Sequence, residues 1–146
     1  MPDMLVKLYK LPETNNLYKK LEDNGIVIMR PMTPNKTKVV EWVRAHFGDG
    51  WADEISAAFT KFPVSCFIAY DVNEKKILGF AGYDCTYRDF FGPTGVDETQ
   101  RGKGIGGALF PTVRGSISNL GVTGKIKSTV NVPSASIAAA VDSNGR

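Results

Sequence analysis

The stretch that most constrains this chain covers residues 96–109, VDETQRGKGIGGAL. An apolar, strand-like run (Phe90, Phe91, then Val96) gives way there to a glycine-rich loop carrying Arg101 and Lys103. Ile105, Ala108 and Leu109 then begin an apolar helical face. Glycine has no Cβ, so a backbone built from Gly102, Gly104, Gly106 and Gly107 can approach a ligand closely. A helix start leaves its first N–H groups without intrahelical acceptors and carries a partial positive charge. Together the loop and the helix start make a cradle for phosphate.

Spacing separates the phosphate-binding loops that fit this outline. The Walker A pattern needs Gly-x4-Gly-Lys followed by Ser or Thr. Here Gly104 follows Lys103 and Asp97 stands where the first glycine should be, so that pattern fails. The dinucleotide pattern G-x-G-x-x-G matches at Gly102, Gly104 and Gly107, in poor context. Its first glycine should follow the strand at once, and an acid should lie roughly 20 residues on to hold a ribose. Val96 is too far back, and no Asp or Glu occurs between Glu98 and Asp142. The third pattern, Q/R-x-x-G-x-G/A, reads at Arg101, Gly104 and Gly106, with a strand valine, Val96, five residues before the arginine.

This third match resembles the acetyl-CoA signature of the GNAT N-acetyltransferase superfamily. The stretch Phe-Phe-Gly-Pro-Thr-Gly-Val that precedes the loop is similar to one found in a GNAT subgroup. The resemblance covers residues 26–109 and implies an acetyl-CoA cosubstrate. The loop residues Arg101, Gly102, Lys103, Gly104, Ile105, Gly106 and Gly107 would hold the CoA pyrophosphate. The strand backbone at Gly95 and Val96 would hold the pantetheine arm like an added β-strand. A glycine-rich turn without a ligand is the alternative reading of the same residues.

At 146 residues the chain reads as a single domain, long enough to bury a core. A net charge of +3 does not describe a dedicated nucleic-acid binder, which would cluster its basic residues. It suits an anionic cofactor. Two cysteines, Cys66 and Cys85, without a Cys-x-x-Cys pair and with a start lacking a secretory pattern, lead us to expect reduced thiols and a cytoplasmic protein. No run reaches the ~20 apolar residues that span a bilayer, so no membrane association is expected. One histidine, His46, with so few cysteines argues against a zinc site, and no metal is expected.

Along the chain, residues 4–11 read as a short edge strand closed by Pro12, and residues 15–23 as a short helix. Asn24 and Gly25 signal a turn, and residues 26–29 a buried strand. Thr33 and Pro34 look like the N-cap and first residue of a helix whose face carries Val39, Val43, His46 and Phe47, stopped by Gly48. Asp49 and Gly50 open a second helix with a stripe of Trp51, Ile55, Ala58, Phe59 and Phe62, ended by Pro63. Residues 64–70 and 77–84 form a hairpin in which Gly79 and Gly82 weaken the strand or mark bulges. Residues 90–96 follow. Pro93 has no N–H to offer a neighbour, which suits a splayed strand. The expected fold class is α+β in three layers: a GNAT-like mixed, mostly antiparallel sheet flanked by helices, incomplete at its C-terminal end.

After Phe110 the pattern departs from the family. Pro111 falls in the second turn of the expected helix, at a cost of ~3 kcal/mol. Gly115, Ser116, Ser118 and Asn119 are poor helix formers, although Val113, Ile117 and Leu120 keep helical spacing. Residues 126–132 form the next strand. Residues 133–146 read as a disordered or vector-derived tail, with a diverged ending and a frame-shifted segment as alternatives. The family's usual general acid, a late tyrosine, has no counterpart after Tyr87.

As an enzyme, the chain is expected to move an acetyl group from acetyl-CoA directly to a primary amine. Freeing a lysine-like amine of its proton near neutral pH costs about 4 kcal/mol, and a general base offsets part of that. Candidates are Asp84, Tyr87 and Asp89, each of which reads equally well as a solvated turn residue. Glu98 is expected to cap or orient the loop. The family's acceptor pocket borders the turn between the first two helices, which makes Phe47 and Trp51 candidate acceptor contacts; core packing is the plainer reading of both. The acceptor is a small-molecule or protein amine. A homodimer would cover the edge of an incomplete sheet. The second reading is a catalytically inactive GNAT-like module that binds CoA or a partner.

Overall fold

A computed structural model describes residues 4–6, 15–88, 90–119 and 126–128. Asp89, Leu120 and the tail over residues 133–146 lie outside them. The order is β1 (Met4–Val6), α1 (Asn15–Asp23), β2 (Ile26–Met29), α2 (Lys36–Phe47), α3 (Asp49–Ala58), β3 (Cys66–Asp71), β4 (Lys76–Tyr83), β5 (Phe90–Val96), α4 (Ile105–Asn119) and β6 (Ile126–Ser128). Single 3-10 turns precede α2 (Thr33–Asn35) and α4 (Glu98–Gln100). The strands form one sheet in the order β1-β6-β5-β4-β3-β2. All neighbours pair antiparallel except β5 and β6, which run parallel. The short first strand is at an edge, as its sequence suggested.

Helices cover both faces of the sheet and divide the core in two. On one face α1 and α4 bury Leu21, Ile105, Leu109, Phe110 and Val113 against Phe67, Leu78, Tyr83 and Phe91. On the other, α2 and α3 bury Val39, Val43 and Ile55 against Cys66, Ile68 and Phe80. Alternation along β3 makes this division: Phe67 and Ala69 face α4, Cys66 and Ile68 face α2 and α3.

The sheet is irregular where the glycines predicted it. Ala69 pairs with Gly79 but Tyr70 with Ile77, so β4 carries a bulge at Leu78. Ala81 pairs with Thr94 but Tyr83 with Phe91, leaving Gly92 and Pro93 opposite Gly82 alone. A bulge inserts one extra residue and bends the strand. It also shifts the side-chain phase. Phe91 and Val96 are an odd number of residues apart, yet both pack into the α4-side core.

Two local expectations are corrected, and the cost expected at Pro111 is overcome. Thr33 is not the N-cap of α2. It opens the 3-10 turn, and Asn35 Oδ1 accepts from the Met32 N–H (3.0 Å). The asparagine side chain thus satisfies a donor just before the turn. The α3 stripe does not reach Phe62. Helix α3 ends at Ala58, whose carbonyl accepts from Lys61 and Ser65, and the chain turns so that Phe62 is fully exposed. Pro111 does not end α4. The proline costs ~3 kcal/mol, but fully burying each of Ile105, Leu109, Phe110 and Val113 contributes about 1.5–3 kcal/mol. Tertiary packing of that face outweighs the broken hydrogen bond.

Helix α1 docks on α4 through Tyr18, whose hydroxyl donates to Ala108 O (2.9 Å) and lies 2.7 Å from Thr112 Oγ1. Tyr18→Phe is expected to lower stability by about 1 kcal/mol, read as a fall in the denaturant midpoint with an unchanged slope; an unaltered midpoint would show that the contact adds nothing.

Candidate functional site

The site is built where β5 runs out towards α4. Asp97 N–H donates to Leu78 O (2.8 Å), closing the ladder between β4 and β5. Backbone groups alternate in direction along a strand. The N–H groups of Val96 and Thr94 therefore turn away from β4. Among the described residues β6 meets β5 only at Phe90 and Phe91, so nothing described pairs with the outer edge of residues 94–96. This half-free strand leads directly into the loop.

The loop turns on two glycines in the left-handed region, Gly102 (φ +87°) and Gly104 (φ +86°). They differ in what surrounds them. A Cβ on Gly102 would meet nothing within 4 Å, so its backbone lies open; a Cβ on Gly104 would come within 2.5 Å of Leu17 Cδ1. Gly104 is thus pinned to α1 while Gly102 faces outward. Helix α4 begins at Ile105, and its first N–H groups lack intrahelical acceptors. Arg101 and Lys103 stand exposed on this loop, Lys103 Nζ donating to Gln100 Oε1 (2.6 Å). Open amides, a helix N-terminus and two cations suit a phosphate.

Asp97, which sequence reasoning passed over in favour of Glu98, holds the approach to the loop. Its Oδ1 accepts from Thr99 N–H (2.9 Å) and Thr99 Oγ1 (2.8 Å), capping the 3-10 turn, while Glu98 is exposed. An aspartate two residues before a threonine is an Asx-turn signal that could have been read. These hydrogen bonds, first the Thr99 N–H and then its hydroxyl, lower the Asp97 pKa below its usual value. Asp97 Oδ2 also faces His46 Nε2 at 3.6 Å. His46 stacks on Trp42 (ring centroids 4.2 Å apart), and its Nδ1 lies 2.8 Å from Trp42 O. His46 thus sits in the last turn of α2, at the edge of the core rather than within it.

Phe47 and Trp51 come together, their rings 5.1 Å apart, and both pack against Phe80. The Phe47 ring lies on Gly95, where a Cβ would meet Phe47 Cζ at 2.5 Å. The two aromatic residues thus sit beside the half-free part of β5, and Gly95 is the residue that lets them.

Two of the three candidate bases, Asp84 and Tyr87, are elsewhere. Asp84 N–H donates to Phe90 O (2.9 Å), at the end of β5 remote from the loop. Counted along the strand, Gly95 is more than about 10 Å away. Tyr87 is mostly exposed, edge-on to Phe90. Asp89 lies outside the described residues. Neither cysteine offers a thiolate. Burial raises the Cys66 thiol well above its ordinary value and pushes Cys85 up to about 12. Among the described residues no cluster of His, Cys, Asp and Glu could hold a metal ion, and no helix is long and apolar enough to cross a membrane.

Solved structures share this architecture. A GCN5-related glucosamine N-acetyltransferase region of a fungal multi-domain β-N-acetylglucosaminidase matches with a TM-score of 0.66 at 13% identity, over 86% of this chain and 17% of that one. A GCN5-related N-acetyltransferase from Sphaerobacter thermophilus matches at 0.61 and 19% identity, over 86% of this chain and 40% of that one. An aminoglycoside acetyltransferase from an uncultured soil metagenomic sample, solved with sisomicin, matches at 0.51 and 17% identity, over 76% and 80% of the two chains. No family model and no curated protein matches the sequence. The chain therefore has the GNAT fold: a mixed, mostly antiparallel sheet flanked by helices. It spans well under half the length of the first two of these structures.

The lowered Asp97 pKa fixes a pH dependence. A depressed carboxylate stabilises the fold above its unfolded value of 3.8, and that contribution is lost as pH falls through the folded value. The melting temperature of Asp97→Ala should therefore lie below that of the unsubstituted chain at about pH 5, and the two should converge only as the pH falls from 3.8 through the depressed folded value. A difference that persists unchanged in acid would assign the loss to packing rather than to the charged cap.

Proposed function

We propose that the chain is an acetyl-CoA-dependent N-acetyltransferase acting on a primary amine. The observation that carries this reading is the half-free edge of residues 94–96 running into an open glycine loop at a helix N-terminus. The residues present fit the cosubstrate. The outward N–H groups of Thr94 and Val96 match an amide-bearing arm laid along β5, with Gly95 between them. The Gly102 backbone, the start of α4 at Ile105, Gly106 and Gly107, and the charges of Arg101 and Lys103 match a pyrophosphate. Gly104 contributes by seating the loop on Leu17. Bound acetyl-CoA would supply the activated acyl group as a thioester.

The chain's own residues then have distinct tasks. Phe47 and Trp51 wall the strand on the α2–α3 side, exclude water and border the acceptor. A Thr94 or Val96 N–H donates to the oxyanion that forms on acyl transfer. Asp84, Tyr87 or Asp89 accepts the amine's proton. The separation of Asp84 from Gly95 requires a water relay for that residue. The acceptor class is a small-molecule or protein amine. The lack of a tyrosine after Tyr87 favours one further reading, a CoA-binding module that does not turn over.

Thermal unfolding tests the proposal. Acetyl-CoA at ~100 times its dissociation constant should add about 2.7 kcal/mol of stability. Arg101→Glu, at an exposed position, should abolish the shift without altering the melting temperature of the free protein. No shift at millimolar acetyl-CoA would sink both readings. Binding without acetyl transfer across a panel of amines would select the second. Where transfer occurs, its rate should rise with pH towards the amine's own pKa (~10.4 for a lysine-like amine), measured by CoA release.

A further inference from the structure

Four carboxylates among the described residues are half-buried: Glu54, Asp71, Asp84 and Asp97. Three of them have partners. Asp71 Oδ1 accepts from the N–H groups of Asn73 and Glu74 (2.9 and 3.0 Å), Asp97 caps its turn, and Asp84 is also engaged. Glu54 accepts no hydrogen bond and pairs with no cation among the described residues. Taking a carboxylate part-way out of water without a partner is costly, so this one calls for a reason.

Its place in the fold supplies one. Trp51 stands three residues before it on α3, and residues three apart are neighbours on a helix surface. Trp51 and Phe47 are both half-buried and form the aromatic wall beside residues 94–96. The residue after Glu54, Ile55, reaches Gly82. A Cβ there would meet Ile55 Cδ1 and Cys85 Sγ, each at 2.8 Å, and Gly92 O at 3.3 Å. Burial raises the Cys85 thiol most, and the charges of Asp84 and Glu54 add to it, which places Glu54 near the same spot. Helix α3 therefore carries Trp51 beside the half-free strand and Glu54 one turn further on, towards the bulge at Gly92 and Pro93. An arm laid along β5 from the loop runs from residue 96 to residue 94 and on towards that bulge.

We infer that Glu54 selects the acceptor: a primary alkylammonium whose cation pairs with the Glu54 carboxylate while its apolar stem lies on Trp51 and Phe47. A carboxylate accepts charge-assisted hydrogen bonds from an ammonium, and aromatic ring faces attract the same cation. A neutral or anionic acceptor would leave the carboxylate unpaired. The inference narrows the acceptor class of the acetyltransferase reading and rests on that reading for the ligand's role as acceptor.

The probe is n-butylammonium near neutral pH, with n-butanol as its uncharged counterpart, each titrated into the isotopically labelled full chain and followed by amide chemical shifts. Saturable butylammonium shifts are expected over residues 47–55, with markedly weaker binding of butanol. Glu54→Gln should weaken butylammonium binding about ten-fold, while Asp53→Asn, at an exposed neighbouring position, should leave it unchanged. Because Glu54→Gln removes an unpaired carboxylate, its melting temperature without ligand should equal or exceed that of the parent. A lowered melting temperature would reveal an internal partner and overturn the inference. So would non-saturable shifts, butanol binding as tightly as butylammonium, unchanged binding in Glu54→Gln, or an equal loss in Asp53→Asn. The acetyl-CoA thermal shift is a separate readout. Butylammonium binding without that shift would keep the amine site and reject the acetyltransferase reading, and the shift without butylammonium binding would do the reverse.

Discussion

The candidate site depends on one irregularity, the bulge that sets Gly92 and Pro93 opposite Gly82. Before it, β5 is paired on both sides, with β4 through Phe91 and with β6 through Phe90 and Phe91. Beyond it, the described pairing is with β4 alone, and residues 94–96 turn alternate backbone groups outward. A strand edge is normally a liability that proteins cover. Here the open stretch ends at Asp97, whose carboxylate caps the turn that carries the chain into the loop. The free edge and the loop amides therefore form one continuous polar track.

That track is held rigid from both faces. On one side α1 places Leu17 under Gly104 and Tyr18 on the first turns of α4. On the other, α2 ends with Phe47 on Gly95 and His46 facing Asp97. A functional constellation gains precision when the elements behind it are packed. Each glycine in this region has its own reason. Gly95 makes room for a ring, Gly104 for a leucine, and Gly102 supplies a left-handed turn with open space before it. A motif that treats them alike conceals three separate constraints.

The two ends of β5 divide the chemistry. The loop end gathers cations, open amides and aromatic walls. The end at Asp84 gathers that carboxylate and the protonated Cys85 thiol. The sequence placed Asp84 at the end of a strand and Tyr87 in the turn that follows; β4 in fact ends at Tyr83, so both lie just beyond it. Only the direction of β5 shows that this turn is the far one from Gly95. Proximity in the chain, six residues from Asp84 to Phe90, concealed separation along the strand that follows.

Much of the fold was legible from the residues themselves. The helix over Asn15–Asp23, the strand over Phe90–Val96, the stop at Gly48 and the irregularities beside Gly79 and opposite Gly82 follow from local periodicity, turn chemistry and the loss of ladder groups. These are properties of neighbouring residues, so neighbouring residues declare them. What required the tertiary structure were contacts across long stretches of chain. They include Leu17 beneath Gly104, Phe47 on Gly95, a helix that runs through Pro111 because its apolar face is buried, and an exposed Phe62 where periodicity would extend a stripe. Burial is decided by which elements meet. The free energy of burying an apolar face exceeds a local propensity of a few kcal/mol, so the assembled sheet and helices, and not the local pattern, have the final word at those positions.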